Sequence, residues 1–90
     1  MLQEPALTLY KRRLLKFLDQ RNGIEVRTTQ LHTDMQVNHD INTRREDVEQ
    51  ALGVLKDEGY ATLRHTDFNG VVWKVTPSGH EAAAKIELEN

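Results

Sequence analysis

Ninety residues with 38% apolar content and a formal net charge of −2 allow one small domain with a modest core and leave no room for a second. The charge argues against indiscriminate nucleic-acid binding. The lack of cysteine excludes disulfides and thiolate metal sites, and no apolar run approaches the roughly 20 residues that cross a bilayer. The start of the chain shows no apolar segment ahead of a small-residue cleavage site, so a cytoplasmic protein with no membrane partner is expected.

A helix is predicted over residues 6–21, because Leu7, Tyr10, Leu14, Phe17 and Leu18 recur at spacings of three and four with Leu15 beside them. Pro5 suits the start of that helix and Asn22-Gly23 its end, since both of the latter tolerate positive φ. Arg12, Arg13 and Lys16 fall on the opposite, solvated side. Residues 4–21 carry five Lys or Arg against Glu4 and Asp19, which makes this helix the positive end of the molecule. Ile24-Glu25-Val26-Arg27 alternates apolar and polar as a short edge strand does. Thr28 or Thr29 is then expected to cap a short helix to about Gln36, with Leu31 and Met35 inward. Residues 37–42 are rich in turn formers and end it.

A third helix is predicted from a capping box of Thr43 and Glu46, with Val48, Ala51, Leu52 and Leu55 as its apolar stripe and Gly59 as its stop. Residues 44–58 hold three Lys or Arg against five carboxylates, so this helix is acidic. A hairpin follows. A two- or four-residue loop would scatter apolar groups over both faces. A three-residue loop of Phe68, Asn69 and Gly70, with Gly70 left-handed, instead puts Ala61, Leu63, His65, Val71, Trp73 and Val75 on one face. The other face, Thr62, Arg64, Thr66, Val72, Lys74 and Thr76, is then expected to meet solvent, with Phe68 at the tip. Ser78 and Glu81 form a second capping box before a last helix bearing Ala82, Ala83 and Ile86, with Ala84 and Leu88 further along it. Its small residues suit close packing on the first helix.

The expected architecture is therefore α+β, three helices on a small antiparallel sheet with a C-terminal helix. Val48-x3-Leu52-x2-Leu55-x3-Gly59-Tyr60 and the run from Trp73 through Thr76-Pro77-Ser78-Gly79-His80-Glu81-Ala82 resemble the winged helix-turn-helix superfamily, in particular small bacterial, archaeal and phage regulators of the MarR-like type. The resemblance spans nearly the whole chain and implies a DNA-binding transcription regulator, with the third helix in the major groove and the wing on the backbone. It puts Thr43, Arg44, Arg45, Glu49 and Gln50 on the reading surface and Arg64, Phe68 and Lys74 on the wing. Two half-sites on a duplex imply a homodimer, through the first and last helices.

The same residues have a plainer reading. Arg45 and Glu49 suit an exposed i,i+4 pair, and Arg64 and Lys74 keep a strand edge soluble. Because Glu46, Glu49 and Asp57 face outward with Gly53 among them, the alternative is a protein–protein interaction module using the acidic third helix. His32, Asp34, His39 and Asp40 lack any metal-ligand spacing, and no nucleophile beside a base or Gly-rich phosphate loop appears. No enzyme, cofactor or metal is expected.

Overall fold

The computed structural model describes residues 1–89. In chain order these form α1 (Ala6–Gln20), β1 (Val26–Arg27), α2 (Thr28–Asn38), α3 (Arg45–Asp57), β2 (Ala61–Thr66), β3 (Gly70–Val75) and α4 (Pro77–Glu89). The sheet is antiparallel with order β1-β3-β2, so β3 is central and the two-residue β1 is an edge.

The core joins Leu14 and Leu18 of α1, Leu31 and Met35 of α2, and Val48, Leu52 and Leu55 of α3 against Trp73 of the sheet. Each fully buried Leu contributes about 1.5–3 kcal/mol relative to leaving it in water. α1 stops as predicted, with Asn22 at φ 54° and its amide on the Asp19 carbonyl at 3.0 Å. α3 closes in a Schellman arrangement: the Gly59 amide donates to Lys56 O and the Tyr60 amide to Leu55 O, with Gly59 at φ 83°.

α1 starts as predicted, after Pro5. The starts of α2, α3 and α4 differ from expectation, and each because a threonine hydroxyl is claimed by another part of the fold. Thr28 does not cap α2. Its hydroxyl is buried, accepting the Trp73 Nε1–H at 2.9 Å and donating to Val71 O at 3.3 Å. A buried indole N–H left without an acceptor costs about 1–3 kcal/mol, at least as much as a cap contributes, so the sheet claims the hydroxyl. Thr43 likewise forms no capping box with Glu46. Both its hydroxyl and its amide donate to Asp40 O, at 2.5 and 2.9 Å, closing the turn before α3, which begins at Arg45. At α4 the cap is Thr76 rather than Ser78: its hydroxyl accepts the Gly79 amide at 3.0 Å and donates to Gly59 O at 2.6 Å. Pro77 is then the first helical residue, where its missing N–H costs nothing.

α2 runs two residues past Gln36, its last turn tied by Asn38 Nδ2 donating to Asp34 O at 3.0 Å. β1 is shorter than predicted, since the Ile24 amide still turns back to Arg21 O and its side chain is 69% exposed. The hairpin loop is Asp67-Phe68-Asn69, one residue earlier than expected, and Gly70 opens β3 opposite Thr66 with φ 68°. The Thr66 hydroxyl holds that register by accepting the Asn69 amide and donating to Gly70 O. The predicted face survives, because Leu63 pairs with Trp73 and Ala61 with Val75. Trp73 is 5% exposed, whereas His65 lies past the helices and is exposed. Val72 departs from the solvent-facing expectation: it is 6% exposed, lying between Arg27 and Arg64 on its two neighbouring strands.

α4 packs on α1 through buried Ala83 and half-buried Ala82 and Ile86, whereas Leu88 is exposed. Its first turn presses onto the α3–β2 junction, where a Cβ added at Gly79 would stand 2.1 Å from Tyr60 O and 2.8 Å from Val75 Cγ2. Across the same turn His80 Nδ1 donates to Asp19 Oδ1 at 2.6 Å. Among the described residues no helix is long and apolar enough to cross a membrane.

Gly79→Ala is expected to destabilise the fold by about 1–3 kcal/mol in urea or thermal unfolding, as overpacking against backbone does. Gly53→Ala, where an added Cβ meets nothing within 4 Å, is expected to stabilise it by about 0.5–1 kcal/mol through helix propensity.

The hydrogen bond to Asp19, followed by the carboxylate's charge, raises the His80 pKa above its ordinary 6.5. The pair's contribution to stability is therefore full below 6.5 and is lost as pH rises through the folded-state value. In Asp19→Asn that pH dependence should vanish, and the His80 ring should titrate at lower pH by NMR.

Candidate nucleic-acid interface

β1 leads straight into α2, so the first turn of α2 sits beside the outer face of the sheet, and α3 starts next to it. Arg45 marks that proximity by donating from Nη1 to Thr29 Oγ1 at 3.4 Å. The exposed cations of this side are Arg44 and Arg45 at the start of α3, Arg27 on β1, Arg64 on β2 and Lys74 on β3.

Two of the eight residues singled out from sequence are engaged within the fold. Thr43 is 5% exposed and occupied with Asp40, while its carbonyl receives His32 Nε2 at 2.7 Å. Gln50 is half-buried and clasps the chain start, its Oε1 accepting the Leu2 amide at 2.7 Å and its Nε2 donating to Leu2 O at 2.9 Å. Periodicity places Gln50 beside the outward stripe of α3 but says nothing of a backbone 48 residues away.

Three more are paired. Arg45 Nε meets Glu49 Oε1 at 3.2 Å, the exposed i,i+4 pair expected from spacing. Arg64 forms a two-pronged contact with Glu25, Nε to Oε2 at 2.8 Å and Nη2 to Oε1 at 2.7 Å. Because β3 lies between β2 and β1, this pair arches over Val72. The hydrogen bond from Arg64, opposed by some desolvation and reinforced by the charges of Arg64 and Lys74, holds the Glu25 carboxyl below its ordinary value. The same bond raises Arg64. Both groups are exposed, so the contact orients Arg64 more than it stabilises the fold. Arg44, Lys74 and Phe68 are exposed, Phe68 by 96% at the hairpin tip.

Under the Arg64–Glu25 arch runs a groove of about 580 Å³ lined by Arg21, Glu25, Arg27, Arg64 and Asn69, with Val72 in its floor. Its lining holds three cations against one carboxylate. Arg27 and Arg21 were missed from sequence. The alternation of Glu25 and Arg27 showed them facing outward, yet only pairing of β1 with β3 brings Arg27 level with Arg64.

The outward face of α3 is unlike this groove. Glu46, Glu49 and Asp57 are exposed on it, and Glu46 with Asp47 lies in the first turn, where carboxylates favour the helix dipole. His32, Asp34, His39 and Asp40 are engaged separately, His39 edge-on to Tyr10 and Asp40 on the Asn42 amide. Among the described residues no three His, Asp or Glu side chains converge as metal ligands.

No protein-family model and no curated protein matches the chain. Among solved structures, it is similar to that of a transcriptional regulator from Clostridium thermocellum, with a TM-score of 0.72 and 12% identity, over 99% of this chain and 87% of that one. The two share a fold. Four helices with a three-stranded antiparallel sheet are thus an arrangement that a transcriptional regulator also uses.

Proposed function

We propose that the protein is a cytoplasmic DNA-binding transcription regulator of winged helix-turn-helix type. The observation that carries this reading is the likeness to a transcriptional regulator along 99% of the chain. In it α2 and α3 are the helix-turn-helix, joined at the turn that Asp40 and Thr43 close, and the β2–β3 hairpin is the wing. The first turn of α3 enters the major groove, where Arg44 and Arg45 meet backbone phosphates at its edge, as Arg27 and Lys74 do from the outer face of the sheet. Phe68 reaches the duplex from the wing tip. Thr43 and Gln50 hold α3 in place. Glu49 restrains Arg45 and can accept from a cytosine amino group. A homodimer through the α1 and α4 side supplies the second half-site.

Four phosphate contacts, from Arg27, Arg44, Arg45 and Lys74, give a log–log dependence of affinity on salt with a slope of about −3.6 on random duplex DNA. No binding at low salt, or binding indifferent to salt, overturns the reading. Glu25→Gln releases Arg64 to a fifth phosphate, so affinity should rise and the slope should steepen by about 0.9. An unchanged slope means that Arg64 stays off the backbone.

A second reading is favoured by the acidic outer face of α3, where an added Cβ at Gly53 meets nothing within 4 Å. There the helix docks a basic segment of a protein partner, whose backbone comes close at Gly53. Gly53→Arg should abolish capture of any partner that wild type retains in a pull-down; a variant that keeps every one of them excludes this interface.

A further inference from the structure

Gln50 lies about 200° around α3 from buried Val48, on the side where Glu46 and Asp57 are exposed. It is nevertheless half-buried, with the chain start laid against it. Its Oε1 accepts the Leu2 amide at 2.7 Å and its Nε2 donates to Leu2 O at 2.9 Å. A donor and an acceptor side by side are also what the major-groove edge of adenine offers a side-chain amide, through N6–H and N7. Leu2 thus occupies Gln50 with the pattern that a base would bring. Beside it, Met1 lines a hollow of about 380 Å³ with Arg44, Glu46, Asp47 and Gln50, over the first two turns of α3. The DNA reading sends these turns into the major groove. A helix with its side chains is about 10–12 Å across and the groove roughly 12 Å wide, so a stretch of chain laid against Gln50 does not fit in with it.

Little holds the chain start there. Gln3 O accepts the Leu7 amide at 3.0 Å, which ties residue 3 to α1 and leaves only Met1 and Leu2 to move. Met1 is 99% exposed, so the two bonds to Gln50 and the half-buried Leu2 side chain at the edge of the core are what keep the segment in place. Those gains are of the same order as the entropy of fixing two residues, so the closed and open forms lie close in free energy.

We propose that Gln50 reads an adenine edge in duplex DNA and that the Leu2 backbone stands in for that edge in the free protein, so that the chain start swings off α3 as DNA enters. The inference rests on the DNA reading above. The exchange leaves no group unsatisfied: two bonds from Gln50 to Leu2 become two to the base, and the Leu2 N–H and C=O pass to water. The clasp by which Gln50 steadies α3 then belongs to the free protein, and the chain start is the protein's own competitor for DNA.

The test joins NMR of the Leu2 amide to selection of sites from a random duplex library at low salt. On binding DNA, the Leu2 amide resonance should move to the position of an unstructured residue, and the Gln50 side-chain NH2 resonances should shift. Gln50→Leu should erase one adenine preference of about fivefold or more from the selected sites. Leu2→Gly loosens the clasp without touching α3. It should select the wild-type sites and bind them about two- to tenfold more tightly, the inverse of the open fraction. Circular dichroism reports that both variants are folded. A Leu2 resonance unmoved by DNA, no adenine preference for Gln50→Leu to lose, or Leu2→Gly binding no more tightly than wild type would each overturn the proposal while the DNA reading stands. No duplex bound by wild type or either variant would overturn both.

Discussion

One buried hydrogen bond organises the molecule. The Trp73 indole must bury a large apolar surface and still satisfy its N–H, and it does so on the Thr28 hydroxyl at 2.9 Å. That contact joins the middle strand to the first residue of α2, 45 positions earlier in the chain. Pairing of Val26 with Trp73 on the same strand fixes β1 at the edge, and α2 then has one direction in which to leave. With α2 set, Leu31 and Met35 join Leu14, Leu18 and Leu52 in one buried cluster.

Short polar side chains do most of the joining between elements. Thr43, Thr66 and Thr76 each both donate and accept, or donate twice through hydroxyl and amide, at a point where the chain reverses. A hydroxyl can serve one backbone group on each side, which suits it to a corner better than an apolar residue of equal size. The consequence is that these hydroxyls are engaged within the fold. Thr43 and Gln50 look like contact residues from their positions on the chain and are structural in the fold.

Charge is divided between the third helix and the sheet. The outward face of the helix is acidic, whereas the cations gather on the outer face of the sheet and at the start of α3. A net charge of −2 is compatible with a local positive band, since at about 0.15 M salt the Debye length is roughly 8 Å and opposite faces of a small domain scarcely feel one another. Arg64 is held on this band by Glu25, so part of its positive potential is restrained in the free protein.

The sequence by itself determined the element order, the apolar stripe of every long helix, the Asn22 and Gly59 stops, and the parity that puts Trp73 inward. These depend on periods of 3.6 and 2 and on local backbone freedom, which neighbours along the chain suffice to set. Only the tertiary structure decided which hydroxyl caps which helix, because Thr28, Thr43 and Thr76 choose among acceptors that the fold delivers from elsewhere in the chain. It also decided why position 79 is glycine, since the Tyr60 carbonyl that forbids a side chain arrives from another element. Arg27 and Gln50 carry the same lesson. Their faces could be read from spacing, but the strand that sets Arg27 near Arg64 and the Leu2 backbone that Gln50 clasps come from distant parts of the chain.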